Sequence, residues 1–371
     1  MTRRVLVMFG TRPEAIKMAP VVAELKARQG FEPVVAVTAQ HREMLDQVLT
    51  IFEITPDHDL DIMQPGQTLT DITVRSLSGL TPLVERIRPD AVLVQGDTTT
   101  TFAAALAAFY HKVPVGHVEA GLRTGDVYRP YPEEVNRRLT TRLARWHFAP
   151  TATAAAHLLA EGVSNADMTI TGNTVVDALL RVRDLPYAFP QGSPINEAVI
   201  KGQRIVLVTA HRRESWGEPM GRIFLAVRDL AKKFDDIHVF VATHRNPIVA
   251  EVAYEILGGV NRVDLLGPLD YLPFVKLMDA STLILSDSGG VQEEAPTLGK
   301  PALVLREVTE RPEAVDAGVV ELVGTDRELI VARASALLTD RSAYLAMARP
   351  ANPFGDGTAA RQIVDVLASA M

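Results

Sequence analysis

Cysteine is absent from all 371 residues, which removes disulfides, thiolate nucleophiles, Cys-built zinc sites and iron–sulfur ligation together. A reducing compartment is the natural setting. Long apolar runs are missing too, since nothing approaches the roughly 18–20 apolar residues that span a bilayer. The opening MTRRVLVMFGTRPEA offers only Val5 to Phe9 before Gly10, short of the roughly 7–15 apolar residues of a secretory leader. It reads as a first strand, and a cytoplasmic chain with no membrane partner is expected. Positive charge is not in excess: 38 basic residues stand against 45 acidic ones, net −7, so no global field draws nucleic acid or anionic lipid. Any phosphate must be held by a local basic site. GxxxxGK[ST] and HExxH do not occur, and the nine histidines form no ligand-spaced cluster with Asp or Glu, so no metal is expected. Gly355-Asp356-Gly357-Thr358-Ala359-Ala360 fits GxGxxA but follows no strand, and no dinucleotide cofactor is expected.

What is present describes a globular α/β protein. Hydrophobic residues make up 47% and charged residues 22%, near the soluble average. At about 150 residues per domain the length suggests two domains. Short continuous runs, Val5–Phe9, Val34–Thr38, Ala91–Gln95, Val113–Val118 and Trp146–Ala149, alternate with helical patterns. Runs apolar on both faces mean parallel strands covered by helices, a doubly wound Rossmann-like domain. After Asp177 the pattern degrades into Arg181–Gly202, rich in Pro and Gly, and then restarts with Ile205–Thr209, Val239–Thr243, Val263–Leu266, Leu283–Ser286 and Ala302–Leu305. The expected organisation is an N-terminal domain over 1–180, a linker over 181–203, a second Rossmann-like domain over 204–357, and a final helix over 358–371. That helix can dock on either domain, a return to the first being one option.

In open parallel sheets ligands sit beyond the carboxyl ends of the strands. The residues there are polar in both halves: Gly10 to Lys17, Gly96 to Thr101 and Glu119 to Thr124 in the first, His211 to Glu214, His244 to Asn246 and Ser286 to Gly290 in the second. The two rows are expected to face one another across a cleft. Ser288, Gly289 and Gly290 open a helix directly after a buried strand, where unbonded amides attract phosphate oxygens, although an ordinary serine cap reads the same way. Glu294, one turn on, could take ribose hydroxyls or be a solvated acid. Arg12 and Lys17 could neutralise a diphosphate or simply decorate a helix. Asp97, Glu119 and Glu133 are candidate acids and bases, Glu133 also fitting a plain helix start. His211, followed by Arg212 and Arg213, reads as part of a cation-lined strand end.

Together these blocks resemble the non-hydrolysing UDP-N-acetylglucosamine 2-epimerases. The resemblance runs from Phe9-Gly10-Thr11-Arg12-Pro13-Glu14-Ala15-Ile16-Lys17 through Thr38-Ala39-Gln40-His41-Arg42, Gly96-Asp97-Thr98-Thr99-Thr100, His117-Val118-Glu119-Ala120-Gly121-Leu122-Arg123-Thr124 and Thr171-Gly172-Asn173-Thr174. It continues with His211-Arg212-Arg213-Glu214, Asp287-Ser288-Gly289-Gly290-Val291-Gln292-Glu293-Glu294, Thr309-Glu310-Arg311-Pro312-Glu313 and Asn352-Pro353-Phe354-Gly355-Asp356-Gly357. It implies two facing Rossmann-like domains of the glycosyltransferase-B type with the active site in the cleft, and interconversion of UDP-N-acetylglucosamine with UDP-N-acetylmannosamine for surface polysaccharide. Position by position it implies that Asp97, Glu119, Glu133 and His211 are catalytic and that Arg12 and Lys17 surround the diphosphate and sugar. Phe274 would flank uracil, Ser288, Gly289 and Gly290 would take the phosphates, Glu294 the ribose, and Arg311 would complete the nucleotide pocket. A second UDP-N-acetylglucosamine would bind as activator at Gln40, His41, Gln67, Arg212 and His244. A homodimer is expected.

The chemistry agrees with the resemblance. Carbon 2 of an N-acetylhexosamine is not adjacent to a carbonyl, so its proton cannot simply be removed and returned. Without a dinucleotide fingerprint, elimination of UDP to 2-acetamidoglucal and re-addition is the favoured route, and inversion needs proton-handling groups on both faces. Which carboxylate is base and which acid stays open at this level. The competing readings are a hydrolysing 2-epimerase that releases ManNAc, a glycosyltransferase on the same fold, and a non-catalytic UDP-sugar sensor.

Overall fold

The computed structural model describes residues 2–38, 42–62, 64, 66–243, 247–349 and 353–371. It separates into two compact units, Met1–Leu180 with Phe354–Met371, and Arg181–Pro353. Among the described residues the first unit carries seven strands: β1 (Arg3–Phe9), β2 (Phe31–Val37), β3 (His58–Asp59), β4 (Ala91–Gln95), β5 (Val115–Val118), β6 (Trp146–Ala149) and β7 (Met168–Ile170). They pair in parallel in the order β3-β2-β1-β4-β5-β6-β7. The continuous apolar runs are buried on both faces, and on one of them Leu6, Met8, Val92 and Val94 pack with Leu80, Leu83, Val84 and Ala104, Ala105, Ala107 and Ala108 of the helix Thr99–Tyr110. The chain leaves β1 on one side toward β2 and returns on the other at β4, so the ends of β1 and β4 border the switch point where such sheets bind ligands.

The second unit repeats the plan with β8 (Arg204–Thr209), β9 (Ile237–Ala242), β10 (Val263–Leu266), β11 (Leu283–Ser286), β12 (Ala302–Val304) and β13 (Val320–Leu322), all parallel in the order β10-β9-β8-β11-β12-β13. Its core gathers Val206, Val208, Phe224, Leu230, Val239, Val241, Leu285 and Leu303. Here the switch point lies between the ends of β8 and β11.

Three strands escape the sequence reading, β3, β7 and β13. Each is only two or three residues long and includes a polar residue, so no apolar run announces it. The stretch 181–203 is not plain linker: the helix Thr174–Asp184 continues past Asp177, and Pro194–Ile200 forms another. Pro194 counted as a breaker, yet it occupies the first helical turn, where it has no amide to lose, and Ser193 caps by accepting from Asn196 N at 3.2 Å.

The last helix, Ala359–Ala370, packs on the first unit, against the helix Arg12–Ala27. Asp177 holds its start, Oδ1 accepting from Ala360 N at 2.9 Å and Oδ2 from Ala359 N at 3.3 Å. Burial lifts the Asp177 carboxyl to about 6 despite these donors. With the folded value above the unfolded one, its contribution to stability is fullest below about pH 4 and is lost as pH rises through about 6. Asp177→Asn keeps an acceptor oxygen and should remove that pH dependence. Asp177→Ala uncaps the helix and should unfold in urea about 1 kcal/mol below the Asn variant at pH 8.

Candidate active site

At the switch point of the first sheet three turns are tied together by buried hydrogen bonds. Glu14, 2% exposed, accepts from Gly10 N, Thr11 N and Thr11 Oγ1 through Oε2, and from Thr98 and Thr101 hydroxyls at 2.7 and 2.9 Å through Oε1. The first set completes the capping box of the helix bearing Arg12 and Lys17, and the second belongs to the turn bearing Asp97. From β5, the fully buried His117 donates Nε2–H to Gly96 O at 2.7 Å, its ring kept neutral because burial pushes it down to about 3. Gly96 has φ +72°, the left-handed turn that aims Asp97.

Glu119 follows β5 with φ +62°, an uncommon conformation for a residue with a side chain and one that costs roughly 1–3 kcal/mol. Backbone strain of this kind gathers at functional sites. Its side chain is 7% exposed and takes Gln95 Nε2 at 3.0 Å, Asn173 Nδ2 at 2.7 Å, and an ion pair from Lys17 Nζ. All three partners donate N–H, and an ionised carboxylate accepts from every one.

Asp97 meets Arg137 Nη2 at 2.5 Å, while Asn136 Nδ2 donates to Asp97 O at 3.0 Å. Both partners lie on the helix Glu133–Leu143, so that helix is anchored at the Asp97 turn and brings its first residue, Glu133, to the same place. Burial raises the Asp97 carboxyl above the usual range, against Arg137, with the charge of Glu119 adding to the rise and Lys17 opposing it. Burial also raises the half-buried Glu133 carboxyl, and the charge of Asp97 adds to that. Two carboxyls raised by burial therefore stand beside a third that takes N–H donors from three side chains, an arrangement suited to moving protons.

The second unit offers a cationic helix start. Asp287, with no exposed surface, uses Oδ2 to accept from His211 N at 2.7 Å and Arg212 N at 2.8 Å, and its Oδ1 lies 3.4 Å from His211 Nδ1. The turn after β8 is thereby bound to the turn after β11. A Cβ on Gly289 would lie 3.6 Å from Arg212 Nη2 and 3.7 Å from Arg311 Cζ, so two guanidinium groups flank the first turn of the helix Gly289–Thr297. Cations at the positive end of a helix dipole repel it, and an anion between them reverses the balance. Ser288 is the N-cap residue but makes no side-chain cap bond, so the ordinary serine-cap reading is not realised. Arg311 is aimed by the buried Glu293 at 2.7 Å and by Glu310 at 3.3 Å. Glu294 accepts from Tyr271 Oη at 3.0 Å, and half-buried Phe274 follows Tyr271 by one turn on the helix Tyr271–Ala280.

Of the remaining expected residues, Arg12 is half-buried in the first helical turn, and Gln67 accepts from Gln64 N at 3.1 Å and Arg75 Nη1 at 3.4 Å. Gln40, His41 and His244 lie outside the described residues. Sequence reasoning assigned no role to Glu14, Gln95, His117, Arg137 or Asn173. Only Glu14 carried a local signal, the Thr11-x-x-Glu14 spacing of a capping box. Among the described residues no group of His, Asp and Glu could hold a metal ion, and no helix is long and apolar enough to cross a membrane.

The sequence profile of the UDP-N-acetylglucosamine 2-epimerase family matches residues 23–368. The UDP-N-acetylglucosamine 2-epimerase of Yersinia pestis is 55% identical over 98% of each chain, and that of Escherichia coli (strain K12) 54% identical over 98% of each. A crystal structure of the Neisseria meningitidis UDP-GlcNAc 2-epimerase bound to UDP-GlcNAc superposes with a TM-score of 0.91 at 50% identity, covering 99% of this chain and all of that one. The Methanocaldococcus jannaschii enzyme in complex with UDP-GlcNAc and UDP gives 0.81 at 30% identity, with 99% and 100% covered.

Proposed function

This chain belongs to the UDP-N-acetylglucosamine 2-epimerase family, and we propose that it interconverts UDP-N-acetylglucosamine and UDP-N-acetylmannosamine by expelling UDP and adding it back. In the forward half-reaction a carboxylate takes the proton from carbon 2, the bond from carbon 1 to the phosphate oxygen breaks, and its electron pair leaves with UDP. The ring carbons keep the former C–H pair as the double bond of 2-acetamidoglucal. In the return half-reaction a proton reaches carbon 2 from the other face, and the UDP oxygen closes on carbon 1.

The observation that carries this reading is the trio Asp97, Glu119 and Glu133 at one switch point, with Glu119 in a strained backbone. Glu119, which takes N–H donors from Lys17, Gln95 and Asn173, suits the ionised partner of a proton transfer. Asp97, raised by burial and the charge of Glu119, and Glu133, raised by burial and the charge of Asp97, suit the groups that hold and return a proton. The diphosphate is assigned to Ser288, Gly289 and Gly290 between Arg212 and Arg311, the ribose to Glu294 braced by Tyr271, and uracil to the Phe274 face. Arg212 thereby joins the diphosphate ligands as well as the activator set implied by resemblance. Arg12 serves the sugar end of the diphosphate, Lys17 acts on Glu119, and His211, backed by Asp287, meets charge on the leaving group.

Proton NMR of the purified protein with UDP-N-acetylglucosamine alone tests the assignment. A fixed ratio of the two UDP-sugars should be reached from either side. Steady accumulation of free N-acetylmannosamine would show a hydrolysing enzyme, and an unchanged substrate would leave only a binding protein.

A further inference from the structure

The segment that returns from the second unit to the first, Phe354 onward, meets the turn after β7 at unusually short range. Phe354 O accepts Asn173 N–H at 2.6 Å. Gly172 has φ +83° and Gly355 φ +112°, and their backbones touch: a Cβ on Gly172 would lie 2.9 Å from Gly355 Cα, and one on Gly355 would lie 3.0 Å from Gly172 Cα. Only glycines allow that approach. Four residues on from Asn173, Asp177 holds Ala359 and Ala360, so the stretch 172–177 is pinned at both ends by the same returning segment.

Asn173 sits between these anchors, 2% exposed. Its Oδ1 accepts from Val175 N at 3.2 Å, which fixes the amide plane and leaves Nδ2 pointing at Glu119 Oε2, 2.7 Å away. Lys17 gives Glu119 a compensating charge but hangs on a flexible stem. The carboxamide is rigid, and Glu119 already occupies a costly backbone conformation with little tolerance for a wandering side chain.

We propose that Asn173 is a positioning residue for Glu119, and that the Phe354–Gly355 strap holds Asn173 in place. The inference rests on the reading of Glu119 as a proton-transfer group. It gives the C-terminal segment a part in the chemistry without touching substrate. Lys17, Asp97 and His117 are among the titratable groups acting around Glu119, and these three lie within the same unit.

Steady-state kinetics on three variants of the full chain, with UDP affinity by calorimetry, tests it. Asn173→Ala should lower kcat by about 10- to 100-fold, the usual cost of a misplaced reacting group. KM and UDP affinity should stay near wild type, and the fraction of turnovers that release free glucal and UDP should rise. Asn173→Asp keeps the acceptor for Val175 N, so it should fold, but it sets a second carboxylate against Glu119. Two such groups cannot both ionise, and one must hold a proton. Its kcat relative to wild type should therefore recover as pH is lowered, which a merely structural defect would not do. Gly355→Ala presses on Gly172 from the strap side and should reproduce the kcat loss at unchanged KM. Wild-type kcat in Asn173→Ala, or a deficit in Asn173→Asp that is flat with pH, overturns the assignment. A melting-temperature loss in Gly355→Ala with intact kcat removes the strap from it. If wild type leaves UDP-N-acetylglucosamine unchanged, the reading of function fails and takes this inference with it.

Discussion

In deuterated water both UDP-sugars are expected to acquire deuterium at carbon 2 as the reaction approaches equilibrium. The proton taken from carbon 2 passes to a carboxylate, which exchanges with solvent far faster than an intermediate must persist for turnover. The proton returned on the opposite face comes from another group, itself equilibrated with solvent. Wild-type substrate should thus lose its carbon-2 proton signal in parallel with the appearance of the epimer. A slow leak of 2-acetamidoglucal and UDP should accompany it, with no added nicotinamide. Retention of the carbon-2 proton through full equilibration, together with a requirement for NAD, would falsify elimination and favour oxidation at a neighbouring carbon.

Removing one carboxylate at a time should lower kcat by roughly 10²–10⁴-fold, the range of a lost general acid or base. Glu119→Gln is expected to fall lowest. The new amide faces Lys17, Gln95 and Asn173, all donors, so it loses both basicity and a good hydrogen-bond fit. Asp97→Asn keeps the shape but strips Arg137, 9% exposed at its side chain, of its shortest partner, leaving Glu134 at 3.5 Å. Glu133→Gln disturbs least. The charge of Asp97 adds to the rise of Glu133, so Asp97→Asn lets the Glu133 carboxyl fall. The acid limb of the rate profile should then move to lower pH in Asp97→Asn. UDP affinity should survive in all three, since every proposed nucleotide contact but Arg12 lies in Arg181–Pro353. A limb that stays fixed would separate the two carboxyls.

The strands that build the switch points were legible because burial on both faces leaves continuous apolar runs such as Ala91–Gln95 and Leu283–Ser286, and the polar residues after them mark the strand ends. Asp97, Glu119 and Ser288 to Gly290 could be picked out by position alone. Their partners could not. Arg137 lies 40 residues from Asp97 and Asn173 lies 54 from Glu119, and nothing local in either stretch differs from a solvated helix or a turn. The helix at Pro194–Ile200 was hidden by the dual meaning of proline, which ends helices in their interior and begins them at the first turn. The docking of the last helix rests on a half-buried aspartate, Asp177, whose sequence surroundings are plainly helical.

That docking bears on how the polypeptide is made. The first unit draws its final piece, Phe354–Met371, from beyond the whole of Arg181–Pro353. On the ribosome, where chain emerges at about 5–20 residues per second, the leading unit has its sheet well before it has the strap against Gly172 or the cap at Asp177. The trailing unit can close its own core in that interval. The nascent first unit then waits with the helix Arg12–Ala27 lacking its Ala359–Ala370 neighbour, and the contact of Phe354 with Asn173 is made last.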